Sequence, residues 1–194
     1  MSSRKVNIAI FCSGSGSNAE KIIQHFQHSE IATVKLLLAN SPKAFALERA
    51  KNHNIPTHVF NRSEFYTTTD VLDVLVGKEI DWVVLAGFLW LVPEYLVEHF
   101  KQRMINIHPA LLPKFGGKGM FGMKVHEAVV KQQEKESGIT IHYINGAYDE
   151  GDIIFQASCL VDEQDTAEEV AKKVQKLEHL HFPLIIEKLI RENR

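Results

Sequence analysis

Short apolar runs alternate along this chain with longer segments of helical spacing. VNIAIFC (6–12), VKLLLAN (34–40), THVF (57–60), WVVLAG (82–87) and MINIH (104–108) are short, rich in Val, Ile and Leu, and bounded by turn residues, which predicts strands. Between them, 18–28, 44–53, 69–78 and 94–100 carry the spacing of helices. Nearly continuous apolar runs such as WVVLAG suit parallel strands covered on both faces. A βαβα order of this kind predicts a parallel sheet wound with right-handed crossovers.

The pattern changes after Pro109. FGGKGMFG leads into a helix near 124–135, and GITIHYI (138–144) and DIIFQASCLV (152–161) predict two strands joined by NGAYDEG. A connection that short makes the pair antiparallel. A last helix begins at DTAEEV, where Thr166 and Glu169 fit a capping box, and Pro183 is expected to kink or interrupt it. The expected fold class is α/β: a Rossmann-like, mostly parallel twisted sheet with helices on both faces and a C-terminal antiparallel hairpin plus helix. Without a repeat, low-complexity stretch or linker, one domain over 1–194 is expected.

Composition narrows this little. A chain of 194 residues is long enough to bury roughly 70% of its unfolded surface without staples. Its 22 Lys+Arg against 24 Asp+Glu give no bulk electrostatic hold on nucleic acid or an anionic membrane. Cys12 and Cys159 lie in apolar runs and form no C-x-x-C pair, so both are read as buried small hydrophobes. The apolar core of MSSRKVNIAIFCSG is too short for a signal peptide, and no run approaches the ~20 residues that span a bilayer. A cytoplasmic protein is expected.

Three stretches carry candidate chemistry. In FCSGSGSNAE, Gly14, Gly16 and Ala19 fit G-x-G-x-x-[G/A] at the first strand-to-helix turn, where backbone N–H groups and the helix dipole favour an anion. A dinucleotide would want an acid at the end of the second strand, where this chain has Asn40 and Ser41, and no Gly-Lys-Ser/Thr follows for a P-loop. What remains is a single-phosphate site helped by Ser17 and Asn18, or a tight turn only.

The second stretch is MINIHPALLPKFGGKG. Alternation puts Asn106 and His108 on one side of a strand end, where open parallel sheets bind ligands. An amide donor beside an imidazole suits a developing oxyanion, and equally a capped strand terminus. Pro109 and Pro113 end regular structure sharply. The third is NGAYDEGD, where Asp149, Glu150 and Asp152 are either turn residues or, for one of them, a carboxylate that orients an imidazole. Ten histidines include no H-E-x-x-H, and His179 and His181 do not share a helix face, so no metal is expected.

SGSGSN, VVLAGF (83–88), INIHPALLPKF (105–115) and YDEGDIIFQ (148–156), in this order and spacing, resemble the folate-dependent phosphoribosylglycinamide formyltransferases from about Val6 to Pro183. The resemblance implies transfer of a formyl group from the co-substrate 10-formyltetrahydrofolate to the amine of glycinamide ribonucleotide, in de novo purine biosynthesis. It implies direct attack through an oxyanion intermediate stabilised by Asn106 and protonated His108, with Asp149 holding the imidazole. Gly16, Ser17 and Asn18 match the loop for the substrate phosphate, and Glu178 the acid on its ribose. Leu89, Trp90, Leu91 and Val92, with Asn106 and the loop of Asn145, Gly146, Ala147, Tyr148 and Asp149, match segments that line the pterin pocket. At Trp90 relatives often carry Arg, so the contacts a guanidinium makes there are expected to be absent or replaced by stacking. Neither a metal nor a covalent enzyme intermediate is implied; the partners are the two small molecules, not nucleic acid or membrane, with a homodimer left open. The alternatives are another folate-dependent formyltransferase, a formyltetrahydrofolate hydrolase, or a nucleotide-binding module without catalysis.

Overall fold

The computed structural model describes residues 4–193. One seven-stranded sheet has the order β3-β2-β1-β4-β5-β6-β7. Strands β1 (Val6–Cys12), β2 (Ala32–Ala39), β3 (Thr57–Val59), β4 (Trp82–Leu85) and β5 (Met104–His108) run parallel, and β6 (Glu136–Tyr143) and β7 (Ile153–Leu160) continue antiparallel. The expected α/β class and appended hairpin are what the chain adopts.

Strand alternation builds two cores. Ile8, Ile10 and Cys12 of β1 point to one face, where α1 (Ser17–Phe26), α2 (Ala46–Asn52), α6 (Met123–Lys131) and α7 (Ala167–Glu192) pack; Ala9 and Phe11 point to the other, against α3 (Arg62–Tyr66), α4 (Asp70–Gly77) and α5 (Glu94–His99). Helix α1 shows the rule in miniature: Ala19, Ile22, Ile23 and Phe26 recur at helical spacing and are buried. Each such Ile or Phe contributes roughly 1.5–3 kcal/mol by leaving water.

Three expectations change. Helix α3 was not anticipated; five residues are too few for periodicity, and its signal is the capping box of Asn61 with Glu64. Helix α7 does not stop at Pro183 but runs continuously through it. Proline removes one backbone donor and crowds the preceding turn at about 3 kcal/mol, which burial of Phe182, Pro183, Ile186, Leu189 and Ile190 along the same stretch offsets. Cys12 is buried, but Cys159 is only partly so, because it lies on the edge strand β7. Among the described residues, no helix is long and apolar enough to cross a membrane.

In this sheet β1 lies between β2 and β4, so the chain winds outward in both directions from that point. The crevice beyond the carboxyl ends of β1 and β4 is where such sheets take ligands.

Candidate active site

The loops after β1, β4 and β5 open onto one cavity of about 560 Å³. Its floor at β1 is Gly14–Asn18. Gly16 is the N-cap of α1 with φ +73°, and a Cβ there would stand 2.5 Å from the Cβ of Ala46, so the turn requires glycine. No side chain caps α1, which leaves its first amides and its dipole directed at the cavity. Ser13 ties this loop to the next: its N–H donates to Gly87 O over 3.0 Å, and its hydroxyl accepts from Leu89 N over 3.0 Å.

Glu178 reaches the same end of the cavity from α7. Burial pushes its carboxyl up to about 7, although Asn18 Nδ2 donates to its Oε2 over 3.0 Å and opposes the shift. Asn18 Oδ1 is enclosed without a partner.

At the other end, the antiparallel register of β5 and β6 sets Asn106 opposite His142 and His108 opposite Thr140. All four side chains share the sheet face opposite Ile105, Ile107, Ile139 and Ile141. Asn106 Nδ2 lies 3.2 Å from His142 Nε2, and His142 Nδ1 lies 2.9 Å from Tyr143 O. A carbonyl only accepts, so His142 carries its hydrogen on Nδ1 and accepts from Asn106 at Nε2. That orientation fixes the amide and leaves its second N–H for another acceptor. Gly151 makes room for the arrangement, since a Cβ there would stand 1.7 Å from Tyr143 O.

Asp149 lies between the two imidazoles, with Oδ2 3.4 Å from His108 Nδ1 and Oδ1 3.6 Å from His142 Nε2. Its φ of +58° is left-handed, a region that Asp tolerates better than most residues. Burial alone would raise its carboxyl; His142 and His108, each in its protonated form, and the amide of Gly117, which donates to Oδ2 over 3.0 Å, outweigh it and hold Asp149 below the usual carboxylate range. His108 moves the other way. Only 4% exposed, it is held below its ordinary value chiefly by burial, against the opposing pull of Asp149 and of Phe115 O. Burial thus favours the uncharged form of His108, against the expectation of a protonated ring. Its Nε2 donates to Phe115 O over 2.7 Å.

Of the sequence-predicted residues, Gly16, Ser17, Asn18, Leu89, Asn106, His108, Tyr148, Asp149 and Glu178 line the one cavity. Trp90, Leu91, Val92, Asn145, Gly146 and Ala147 do not. Val92 is buried in the second core, Leu91 O accepts from Tyr66 Oη, and Asn145 Oδ1 accepts from Ala147 N within the loop. Trp90 is not without a guanidinium, because Arg62 lies over its ring at 5.1 Å. His142 was missed. It lies within an apolar strand and is 1% exposed; the signal was the alternation of GITIHYI, which puts Thr140 and His142 on one face.

Chemically, the cavity joins an uncapped helix N-terminus, a buried acid, an amide held by His142, and an imidazole beside a carboxylate. The sequence profile described as formyl transferase matches residues 6–186. A chloroplastic phosphoribosylglycinamide formyltransferase of Arabidopsis thaliana is 42% identical over 91% of this chain and 62% of its own length. A phosphoribosylglycinamide formyltransferase of Bacillus subtilis (strain 168) is 34% identical over 93% of each chain. The crystal structure of the Bacillus halodurans phosphoribosylglycinamide formyltransferase superposes with a TM-score of 0.85 at 37% identity, covering 97% of both chains. This chain thus spans under two thirds of the plant relative and nearly all of the bacterial ones. By sequence and by fold, the chain belongs to the formyl transferase family, among its phosphoribosylglycinamide formyltransferases.

Proposed function

We propose that this chain transfers the formyl group of 10-formyltetrahydrofolate to the primary amine of glycinamide ribonucleotide, as one domain whose two cores share a single sheet. The observation that carries this reading is the placement of Asn106, His108 and Asp149 in the same cavity as the uncapped N-terminus of α1 and Glu178. The substrate's phosphate suits the α1 amides, and its ribose hydroxyls suit Glu178 and the unpartnered Asn18 Oδ1. Phe88, Leu89, Ile107 and Tyr148 give the cavity apolar walls beside Asn106, which fits a flat heteroaromatic ring. When bound, the folate supplies an electrophilic formyl carbon.

The residues' tasks follow from their hydrogen bonds. Asn106, held by His142, turns its second N–H to the oxygen that becomes negative as the amine adds. A donor of this kind contributes about 3–4 kcal/mol. His108 offers that oxygen the Nε2–H now given to Phe115 O, and its Nδ1, on the side of Asp149, takes up the proton the amine must lose. Asp149, ionised beside it, stabilises the resulting imidazolium. From there the proton goes to the nitrogen from which the formyl group departs, which completes the exchange of N–H for N–CHO.

The test follows tetrahydrofolate release with and without glycinamide ribonucleotide. Release that requires the amine, with stoichiometric formylation of it, is expected. Release at the same rate without it would make the protein a hydrolase, and stabilisation by NAD but by neither substrate would make it a nucleotide-binding module.

A further inference from the structure

Helix α6 turns Val125, His126 and Val129 inward. Two are the apolar residues a buried helix face requires; the third is a histidine only 6% exposed, which lines the cavity of Asn106, His108 and Asp149. Its Nδ1 is enclosed and unpartnered, and among the described residues Nε2 has no hydrogen-bond partner either. A buried polar group without a partner destabilises the fold, and a leucine at this position would not. The imidazole has no structural task here that would account for it.

Its protonation narrows what it can do. An enclosed N–H without an acceptor is a rarer and costlier orphan than an unused lone pair, so the hydrogen belongs on Nε2, the nitrogen that is not enclosed. Burial pushes the ring below its ordinary pKa, which favours the uncharged form, and a charge on His108 would push it the same way. The cavity therefore receives a neutral N–H donor close to His108.

Resting on the formyl-transfer reading above, we propose that His126 donates from Nε2 to the amide carbonyl oxygen of the glycinamide group, and so sets the adjoining amine at the reacting centre. The other oxygens already have donors or acceptors. The phosphate has the α1 amides, the ribose has Glu178, and the formyl oxygen has Asn106 and His108. The oxygen left beside the amine is the amide carbonyl, one carbon away. A neutral donor suits it, because a cation there would repel an amine that arrives as an ammonium.

The test pairs His126→Leu and His126→Gln with glycinamide ribonucleotide and with an analogue whose amide carbonyl is replaced by a methylene. The wild type should use the analogue about tenfold or more less efficiently in kcat/KM, the range of one lost hydrogen bond. His126→Leu should lose a similar factor on the natural substrate and little more on the analogue, since the two changes remove the same bond. His126→Gln, which keeps an N–H donor, should recover part of the loss. KM for the formyl donor should hold, and the thermal midpoint of His126→Leu should equal or exceed the wild type's. Losses that multiply, normal use of the natural substrate by His126→Leu, or a lowered midpoint with both substrates affected alike would overturn the assignment. If the wild type formylates no glycinamide ribonucleotide, the formyl-transfer reading fails instead, and the two failures are distinct.

Discussion

Asn106 on β5 and His142 on β6 are directly opposed, and the amide of one donates to the imidazole of the other over 3.2 Å. The bond uses one N–H of Asn106 and aims the second. His142 is thereby a positioning residue, 36 positions from the group it orients.

Replacing His142 by Leu should lower kcat about tenfold to a hundredfold, less than the 10²–10³ that follows loss of the donor itself. KM for either substrate should change little, and His142→Gln, which keeps an acceptor, should recover much of the rate. Steady-state kinetics with both substrates varied would show the split; equal damage to kcat and both KM values would mean that His142 is only a core residue.

A contact without histidine supports the loop that follows β5. The Thr140 hydroxyl donates to Ala110 O over 2.7 Å and accepts from Leu112 N over 3.0 Å and Gln156 Nε2 over 2.8 Å. Thr140→Val keeps the shape and strands those partners, so urea unfolding should show a loss of about 2–4 kcal/mol. A change near zero would mean that the loop finds other partners without cost.

Glu178 gives a pH signature. Its carboxyl rises from 4.5 to about 7 on folding, so below the lower value it is protonated in both states and affects stability little. Between the two only the unfolded chain ionises, and stability falls as pH rises; above about 7 the loss is complete, roughly 3 kcal/mol at the upper limit. Glu178→Gln should match the wild type near pH 4 and exceed it near pH 8, by urea unfolding at each. A constant difference at both would contradict the raised pKa.

Much of this could be seen in the sequence because it is local. β1 and β5 have the bounds their apolar runs indicate, and the Thr166–Glu169 box caps α7 as its spacing requires. What escaped depends on partners far along the chain. His142 matters through a register that only the folded sheet sets, and His126 through a cavity it enters from α6. The low pKa of His108 escaped because burial outweighs the carboxylate beside it, a balance that residue types do not reveal. Pro183 misled because helix propensity is a local preference, whereas the α7 face is held by the core.

In the proposed reaction Asp149 serves the chemistry through His108 and does not hold glycinamide ribonucleotide. Asn is the right replacement, since it tolerates the left-handed backbone at φ +58° and removes the charge while keeping one oxygen to accept from Gly117 N. Turnover by Asp149→Asn, measured beside calorimetric binding of glycinamide ribonucleotide, is the most direct test. A fall in kcat of about 10²–10⁴-fold with binding essentially unchanged is expected; near-normal turnover, or a loss of binding equal to the loss of rate, would contradict this role.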